Sequence, residues 1–427
     1  MKTEDNTLRR TLTFRHAVLS GIGVILGAGV YALVGPASGM TGNGLWLAFT
    51  LAGVIAGLTA YSYTRFIVLR PKDSPEFQYT SMAFGPRVGF LAGWLMLAAD
   101  LLAAATVALG FGGYLQHLIG TPTIVNAALL LAVLAVLLYT GIGESVTMAI
   151  VLTIVEAAGL MFIIAIGVPS WPTVDFLDIP QGASGVWAAV ALIFFAYLGF
   201  DEMGNFAEEM KNPERDIPRA LFVSLTIATA IYALVGLSTI STTGWRDLSA
   251  SEAPLALAAG KVLGPSADMI LSMVALAATA NTVLLLLVSG SRSVYGMASA
   301  GVLPKALGKV GHRGIPKTAT AAVLVIVGAT LLAGNLEQVA AITNSTILAS
   351  FALTNASLPR IAMQGQLPGN RIRRSADIIL PVLAVITCGG LFVYTGWASI
   401  GVTVVLGIIG LVLNKVFLNP GAAAIAR

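Results

Sequence analysis

The chain has 427 residues, of which 57% are hydrophobic and only 10% are charged, and its mean hydropathy is +0.87. Soluble domains carry about 25% charged residues, so this composition excludes a soluble globular protein and indicates a polytopic membrane protein. The formal net charge of +4 does not indicate nucleic-acid binding, because the basic residues lie in short segments between apolar runs.

Twelve apolar runs have roughly the 20 residues that a membrane-spanning helix needs. In chain order these predicted spans are 16–39, 45–69, 88–118, 122–140, 145–168, 184–208, 219–242, 266–298, 318–334, 337–358, 377–395 and 397–418. No other segment is long enough for a soluble domain. We therefore expect one all-α membrane domain over residues 1–427, with both termini on the same side of the bilayer.

The distribution of basic residues predicts which side that is. A cytoplasmic N-terminus leaves only Arg246 and Lys261 outside. It places all of the following inside: Arg9, Arg10, Arg15, Arg70, Lys72, Arg87, Lys211, Arg215, Arg219, Lys305, Lys309, Arg313, Lys317, Arg360, Arg371, Arg373 and Arg374. Loops on the cytoplasmic side of membrane proteins are rich in Lys and Arg. The expected location is the cell membrane, with the lipid bilayer around the chain and both termini cytoplasmic.

Span 1 contains the stretch "GIGVILGAGVYALVG", in which five of fifteen residues are glycine. Glycine costs up to about 1 kcal/mol relative to alanine inside a helix. One explanation is close helix packing, since Gly23 and Gly27 have small-xxx-small spacing. The other is an unwound segment, whose free backbone groups are tolerated at membrane depth only where protein, ligand or water satisfies them.

Span 6 and its exit, "FFAYLGFDEMGNFAEEMKNPERDIPRA", show a second interruption. Gly199 and Gly204 break the apolar run, with Asp201, Glu202 and Asn205 beside them. Each interrupted span opens a block of five spans, a pattern typical of inverted-repeat transporters with a midplane binding site. Free N–H groups at a half-helix suit a carboxylate and free carbonyls suit an ammonium group, so such a site favours a zwitterion, above all an α-amino acid.

These two stretches resemble the amino acid–polyamine–organocation superfamily of permeases. Four further segments support the resemblance: "PEFQYTSMAFGPRVGFLAGW", "SEAPLALAA", "GSRSVYGMASAGVLP" and "GHRGIPKTAT". It covers residues 12 to 415, and the run that leads out of span 6 is its most specific part. The resemblance implies a LeuT-type fold with discontinuous helices 1 and 6. Its inverted repeats are 12–168 and 184–362, followed by two peripheral helices at 377–418.

The resemblance also implies where a substrate binds. The carboxylate is expected at the unwound Gly27, Ala28 and Gly29. The ammonium group is expected at the carbonyls of Ile25, Phe195 and Leu198, next to the break at Gly199. A bulky residue of helix 6 commonly covers the substrate in this superfamily, so Phe195 and Phe200 are candidate gates, with plain packing as the alternative for each.

Three acidic residues lie inside predicted spans and are candidates for coupling or gating: Asp100, Glu156 and Asp201. Carboxylates at this depth are costly and usually face a protein interior or water. Relatives in this superfamily that use a proton place an amine near the position of Glu156, so the carboxylic acid here departs from their pattern. A structural hydrogen bond is the alternative for Glu156 and Asp100, recognition of a cationic substrate is a further one for Asp100, and a helix cap is the alternative for Asp201.

The coupling ion is expected to be the proton, with no cofactor. Thr279, Asn281 and Thr282 in span 8 neither require nor exclude sodium. His16, His117 and His312 are not spaced as metal ligands, and Cys388 is the chain's single cysteine, so no metal site is predicted.

The sequence thus predicts a secondary transporter that moves amino acids by alternating access, with proton symport as the favoured mode. Exchange of amino acids, amines or polyamines is the alternative. An intramembrane enzyme lacks a nucleophile–base pair, a channel lacks a repeated filter loop, and an ATP-driven pump lacks a phosphate-binding loop.

Overall fold

The computed structural model describes residues 13–69, 75–140, 146–203, 210–299, 301–310, 316–365, 367 and 371–417. This part of the chain is helical. Its α-helices are α1 (Phe14–Ile25), α2 (Gly29–Thr41), α3 (Leu45–Leu69), α4 (Pro75–Phe84), α5 (Pro86–Ile119), α6 (Thr123–Thr140), α7 (Val146–Gly167), α8 (Gly182–Ile193), α9 (Pro213–Thr243), α10 (Trp245–Ser249), α11 (Pro254–Leu263), α12 (Pro265–Ser299), α13 (Lys317–Thr330), α14 (Leu336–Met363), α15 (Arg371–Tyr394) and α16 (Trp397–Phe417).

Within the described residues, ten helical stretches are long and apolar enough to cross a membrane. The number differs from the twelve predicted spans for two reasons. The stretch Gly29–Ile67 joins α2 and α3 through a short 3₁₀ turn, so it includes parts of predicted spans 1 and 2. Span 9 is represented by α13, which has only 14 residues. The chain is therefore an all-helical polytopic membrane protein.

Helix boundaries follow local rules of sequence. Gly85, with φ of +91°, precedes Pro86 at the first turn of α5, where proline's missing N–H costs nothing. α14 begins with a reciprocal cap, in which Asn335 Oδ1 accepts from the Gln338 N–H at 3.0 Å and Gln338 Oε1 accepts from the Asn335 N–H at 3.3 Å. These signals place the helix starts independently of tertiary packing.

The long helices differ in how deeply they are buried. In the most apolar window of α5, 72% of residues are buried, whereas in that of α16 only 22% are. α5 and α14 therefore lie in the interior, and α16 lies at the periphery. α15 is joined to α3 by a buried ion pair, in which Arg65 Nε and Nη2 donate to the two carboxylate oxygens of Asp377 at 2.7 and 2.8 Å.

Several residues that carried sequence predictions lie outside the described part of the chain. They are the basic residues Arg9, Arg10, Arg70, Lys72 and Arg313, the loop residue His312, and Gly204 and Asn205 at the exit of span 6.

Candidate functional site

The first predicted span is interrupted near its middle. α1 ends at Ile25, residues 26–28 are not helical, and α2 begins at Gly29. The Gly27 N–H donates to the Ile25 carbonyl at 2.7 Å. The first N–H groups of α2 have no carbonyl acceptor within that helix, so its N-terminus presents donors and a positive dipole at membrane depth.

The sixth predicted span is interrupted as well. α8 ends at Ile193 and is followed by a 3₁₀ turn over Phe194–Tyr197. Gly199 then has φ of +110°, a backbone conformation that glycine adopts without strain. The Leu198 N–H donates to the Phe195 carbonyl at 3.1 Å. The helical path of this span is therefore lost over the residues that follow Ile193.

The two interruptions lie against each other. A Cβ atom on Gly29 would be 2.7 Å from the Cα of Ala196, and one on Gly199 would be 2.9 Å from the carbonyl oxygen of Val24. Both neighbours are backbone atoms, which cannot move aside as the end of a side chain can. Glycine is required at these two positions because the two unwound segments are in direct contact.

The eight predicted substrate-binding residues lie on the two interrupted segments or directly beside them, and they differ in burial. Gly27, Leu198 and Gly199 are half-buried. The other five are buried: Ile25, Ala28, Gly29, Phe195 and Phe200. Irregular backbone at membrane depth is tolerated where protein, ligand or water satisfies it, and Gly27 and Gly199 keep part of their backbone accessible for such a partner.

Tyr232 of α9 joins the two interruptions, and the sequence analysis did not identify it. Its hydroxyl lies 2.6 Å from the carbonyl oxygen of Ile25 and 3.0 Å from that of Ala196. The Ile25 carbonyl also accepts from the Gly27 N–H, so this expected ammonium ligand is occupied by protein donors in the present state. A buried tyrosine in span 7, six spans after the first unwound segment, gives no sequence signal of this role.

The two candidate gating phenylalanines have different surroundings. A ring carbon of Phe195, Cδ1, lies 3.2 Å from where a Cβ on Gly29 would be, so this side chain borders the first interruption. Phe200 packs in an aromatic cluster, with its ring centroid 5.8 Å from that of Tyr63 and 5.5 Å from that of Phe351. In this structure Phe200 is therefore a packing residue.

Glu156 lies opposite the first interruption. On its helix α7, Thr153 contacts Gly23 before the break, and Gly159 contacts the Tyr31 hydroxyl after it. The same hydroxyl donates to the Glu156 carbonyl at 2.7 Å. The Glu156 side chain is buried, and its Oε1 has no hydrogen-bond partner among the residues described.

Asp100 and Asp201 belong to one group of acidic residues, together with Glu76 and Glu202, which lie close enough to interact electrostatically. Asp201 Oδ1 accepts from the Gly199 N–H at 3.1 Å, so this carboxylate caps the break itself. Asp100 is half-buried in α5.

Glu76, on the connecting helix α4 outside the spans, is buried and accepts from the Tyr63 hydroxyl at 2.5 Å. Burial and the neighbouring charge of Asp201 raise the pKa of Glu76 to about 7.

The hydroxyl groups that could act as sodium ligands lie on α12. Thr282 Oγ1 would be 4.0 Å from a Cβ on Gly27, so α12 faces the first interruption. Thr282 donates to the Ala278 carbonyl at 3.1 Å, and Thr279 donates to the Ala275 carbonyl at 2.7 Å. Each hydroxyl keeps its lone pairs available as acceptors.

Two interrupted helices in contact inside an all-helical membrane protein are an arrangement typical of membrane transporters. The amino acid permease family model matches residues 12–418. The chain belongs to this amino acid permease family, within the superfamily that its motifs resemble, and it is a transporter rather than an enzyme.

Several named transporters are similar to most of the chain. It is 28% identical to the branched-chain amino acid permease BcaP of Lactococcus lactis over 92% of this chain and 90% of the relative. It is 29% identical to the vacuolar cationic amino acid transporter 4 of Arabidopsis thaliana, over 81% of this chain and 62% of the relative. It is 27% identical to the methylthioribose transporter of Bacillus subtilis, over 91% of this chain and 88% of the relative.

Proposed function

We propose that the chain is a secondary active transporter that carries an amino acid across the cell membrane by proton symport. The observation that carries the proposal is the contact between the two interrupted helices, beside which Gly27 and Gly199 keep partly accessible backbone. Bare N–H groups of α2 bind the substrate carboxylate, and carbonyls of the unwound segments bind its ammonium group.

The proposed architecture has twelve spans in two inverted repeats, residues 12–168 and 184–362, followed by two peripheral helices at 377–418. Both termini are cytoplasmic, as the excess of basic residues in the inner connections favours. The pairing of an interruption in the first helix of each repeat supports this arrangement.

The ammonium group of a substrate must compete with hydrogen bonds that the protein already makes. The Tyr232 hydroxyl and the Gly27 N–H both bond the Ile25 carbonyl in the present state. Substrate binding therefore includes an exchange, in which the ammonium group replaces one of these donors. The backbone site suits any α-amino acid, and the relatives named for branched-chain and cationic amino acids define the first substrates to test.

Glu156 is the proposed proton carrier. Its carboxyl group is buried opposite the first interruption and has an oxygen without a partner in the described structure. A proton on this group removes a charge from the membrane interior, and its release on the other side completes a cycle.

Uptake of radiolabelled leucine and arginine into proteoliposomes, with and without an inward pH gradient, tests the function. Symport predicts accumulation that depends on the gradient. The competing mode, exchange, predicts uptake that persists without a gradient and requires amino acid inside the vesicles. Absence of flux for all twenty amino acids under both conditions would refute the proposal.

Glu156→Gln tests the proton carrier. The variant keeps the shape of the side chain but cannot take up and release a proton, so we expect gradient-driven accumulation to be lost while binding in a thermal-shift assay remains. Glu214→Gln is the control, since this acid is exposed in the first turn of α9. An unchanged pH profile of Glu156→Gln would assign Glu156 to structure.

A further inference from the structure

The first half of the second broken helix is held by a side chain of α14. The last four carbonyls of a helix lack regular partners, and in α8 these include Ala191 and Leu192. The side-chain amide nitrogen of Asn344 donates to both carbonyls, at 2.7 and 2.8 Å. Asn344 is fully buried in the middle of α14.

The orientation of this amide is fixed by its surroundings. Both neighbours on one side are carbonyl oxygens, which only accept hydrogen bonds, so the NH₂ group must face them. The Asn344 Oδ1 atom then lies on the other side, where the described residues provide no donor. A buried acceptor without a donor is costly, so this arrangement is retained for the two bonds that the NH₂ group makes.

The interface that Asn344 bridges is otherwise incompletely packed. A cavity of about 90 Å³ adjoins it, lined among others by Ala191 and Leu192 of α8 and by Ala341 of α14. The exposed residues Glu337 and Tyr394 also line this cavity, so it opens from the α8–α14 contact towards the surface. Contacts of α14 with α5 are different: Ser350 donates to the Ala92 carbonyl at 2.9 Å, and Thr343 Oγ1 lies 3.2 Å from Thr106 Oγ1.

We propose that Asn344 is a positioning residue of the transport cycle, a clamp that holds α8 against α14 and releases it when the binding site changes its exposure. This proposal rests on the function proposed above. The clamp acts on the broken helix. When the two Asn344 bonds are made, the C-terminal end of α8 is fixed beside the proposed substrate site. When they break, α8 moves away from α14 and the space between the two helices widens. The orphan Oδ1 lowers the cost of leaving the clamped state, because water can bind the whole amide once α8 has moved away.

The test measures how readily α8 separates from α14. In a Cys388→Ser background, which has no other cysteine, Ala191→Cys places a buried thiol at the interface. Its rate of reaction with a maleimide in detergent, well below the unfolding midpoint, reports how often the interface opens. Asn344→Leu, which removes both bonds and keeps the branched shape of the side chain, is expected to raise this rate on the order of tenfold.

Thr343→Val is the matched control. Thr343 is the neighbouring buried residue, and its hydroxyl bonds to α5 rather than to α8. A purely structural role for Asn344 predicts that both variants lower the unfolding midpoint and leave the labelling rate at its starting value, and that result would overturn the clamp. If Asn344→Leu does not fold, Asn344→Asp is used, since it keeps the volume and loses the NH₂ group.

A transport measurement complements the labelling. We expect Asn344→Leu in proteoliposomes to lower the maximal uptake rate more than the same amount of folded Thr343→Val does, because opening without substrate makes the cycle unproductive. The labelling experiment needs no substrate, so it tests the clamp even if the proposed substrate class is wrong. Normal amino acid uptake by Asn344→Leu, together with an unchanged labelling rate, would refute the clamp and leave the proposed transport function standing.

Discussion

At the scale of single residues, the glycines at the two interruptions have different steric surroundings. Gly29 and Gly199 face backbone atoms of the opposing segment at under 3 Å from a Cβ position. Around Gly27, the nearest atoms would be 3.9 Å away, an ordinary contact distance. The close approach of the two segments therefore requires glycine at Gly29 and Gly199, and Gly27 has room for a methyl group.

This difference predicts opposite outcomes for two small substitutions. Gly29→Ala forces the two interruptions apart, so we expect a loss of stability of about 1–3 kcal/mol and a loss of most uptake. Gly27→Ala serves as the control, and its thermal unfolding midpoint in detergent should stay close to that of the unsubstituted chain. Equal midpoints for the two variants would show that the segments are not in contact at Gly29.

At the scale of elements, neither broken helix is held by its own backbone alone. Side chains of two unbroken helices supply donors: the single hydroxyl proton of Tyr232 in α9 is shared between the Ile25 and Ala196 carbonyls, and the Asn344 amide of α14 bonds the end of α8. Tyr232 also packs its ring against those of Phe49 and Tyr197, with centroids 5.4 Å away in each case. The interruptions are thus stabilised by tertiary contacts.

Removal of one hydroxyl tests this view. Tyr232→Phe keeps the ring contacts and loses the bonds to Ile25 and Ala196, so we expect a destabilisation of about 1–2 kcal/mol and a changed KM for the amino acid. Tyr197→Phe is the matched control, because its hydroxyl donates to the Phe49 carbonyl in α3 instead.

KM from initial rates of uptake and the midpoint of thermal unfolding are measured for both variants. If Tyr232→Phe and Tyr197→Phe show the same KM, the Tyr232 hydroxyl is outside the site that binds substrate.

At the scale of the whole molecule, acidic groups buried near the interruptions couple stability to pH. One of these groups, Glu76, lies outside the membrane spans, on α4. It is buried and hydrogen-bonded to Tyr63, and it interacts electrostatically with the carboxylates of Asp201, Glu202 and Asp100. Its pKa is raised from 4.5 to about 7 by burial first and by Asp201 second. Between these values the folded chain binds more protons at this residue than the unfolded chain does.

The sign of the pH dependence follows from this difference. The stabilising contribution of protonated Glu76 is complete below pH 4.5 and is lost as the pH rises to about 7. Over that window the loss is on the order of 3 kcal/mol. Thermal midpoints in detergent should therefore fall between these pH values. Glu76→Gln should reduce that slope, and an equally steep fall in the variant would place the titrating group elsewhere.

The positions of the two interruptions could be predicted from the sequence, because glycine in an apolar run and acids beside it are local signals. α1 ends at Ile25 and α8 ends at Ile193, both within the predicted spans. The partners of these segments could not be predicted. Tyr232 lies 207 residues from Ile25, and Asn344 lies 152 residues from Leu192. Nothing in the sequence around either residue indicates which distant carbonyl it bonds.

The sequence by itself determined the membrane class, the approximate positions of the spans and the two places where a helix is broken, since each depends on composition within a few tens of residues. Only the tertiary structure decided that the breaks touch, that Phe200 packs among aromatic rings, and that Tyr232 and Asn344 bond the exposed carbonyls. The physical reason is that a backbone group inside a membrane must find a partner. The chain can supply that partner from any helix that folding brings within hydrogen-bonding distance.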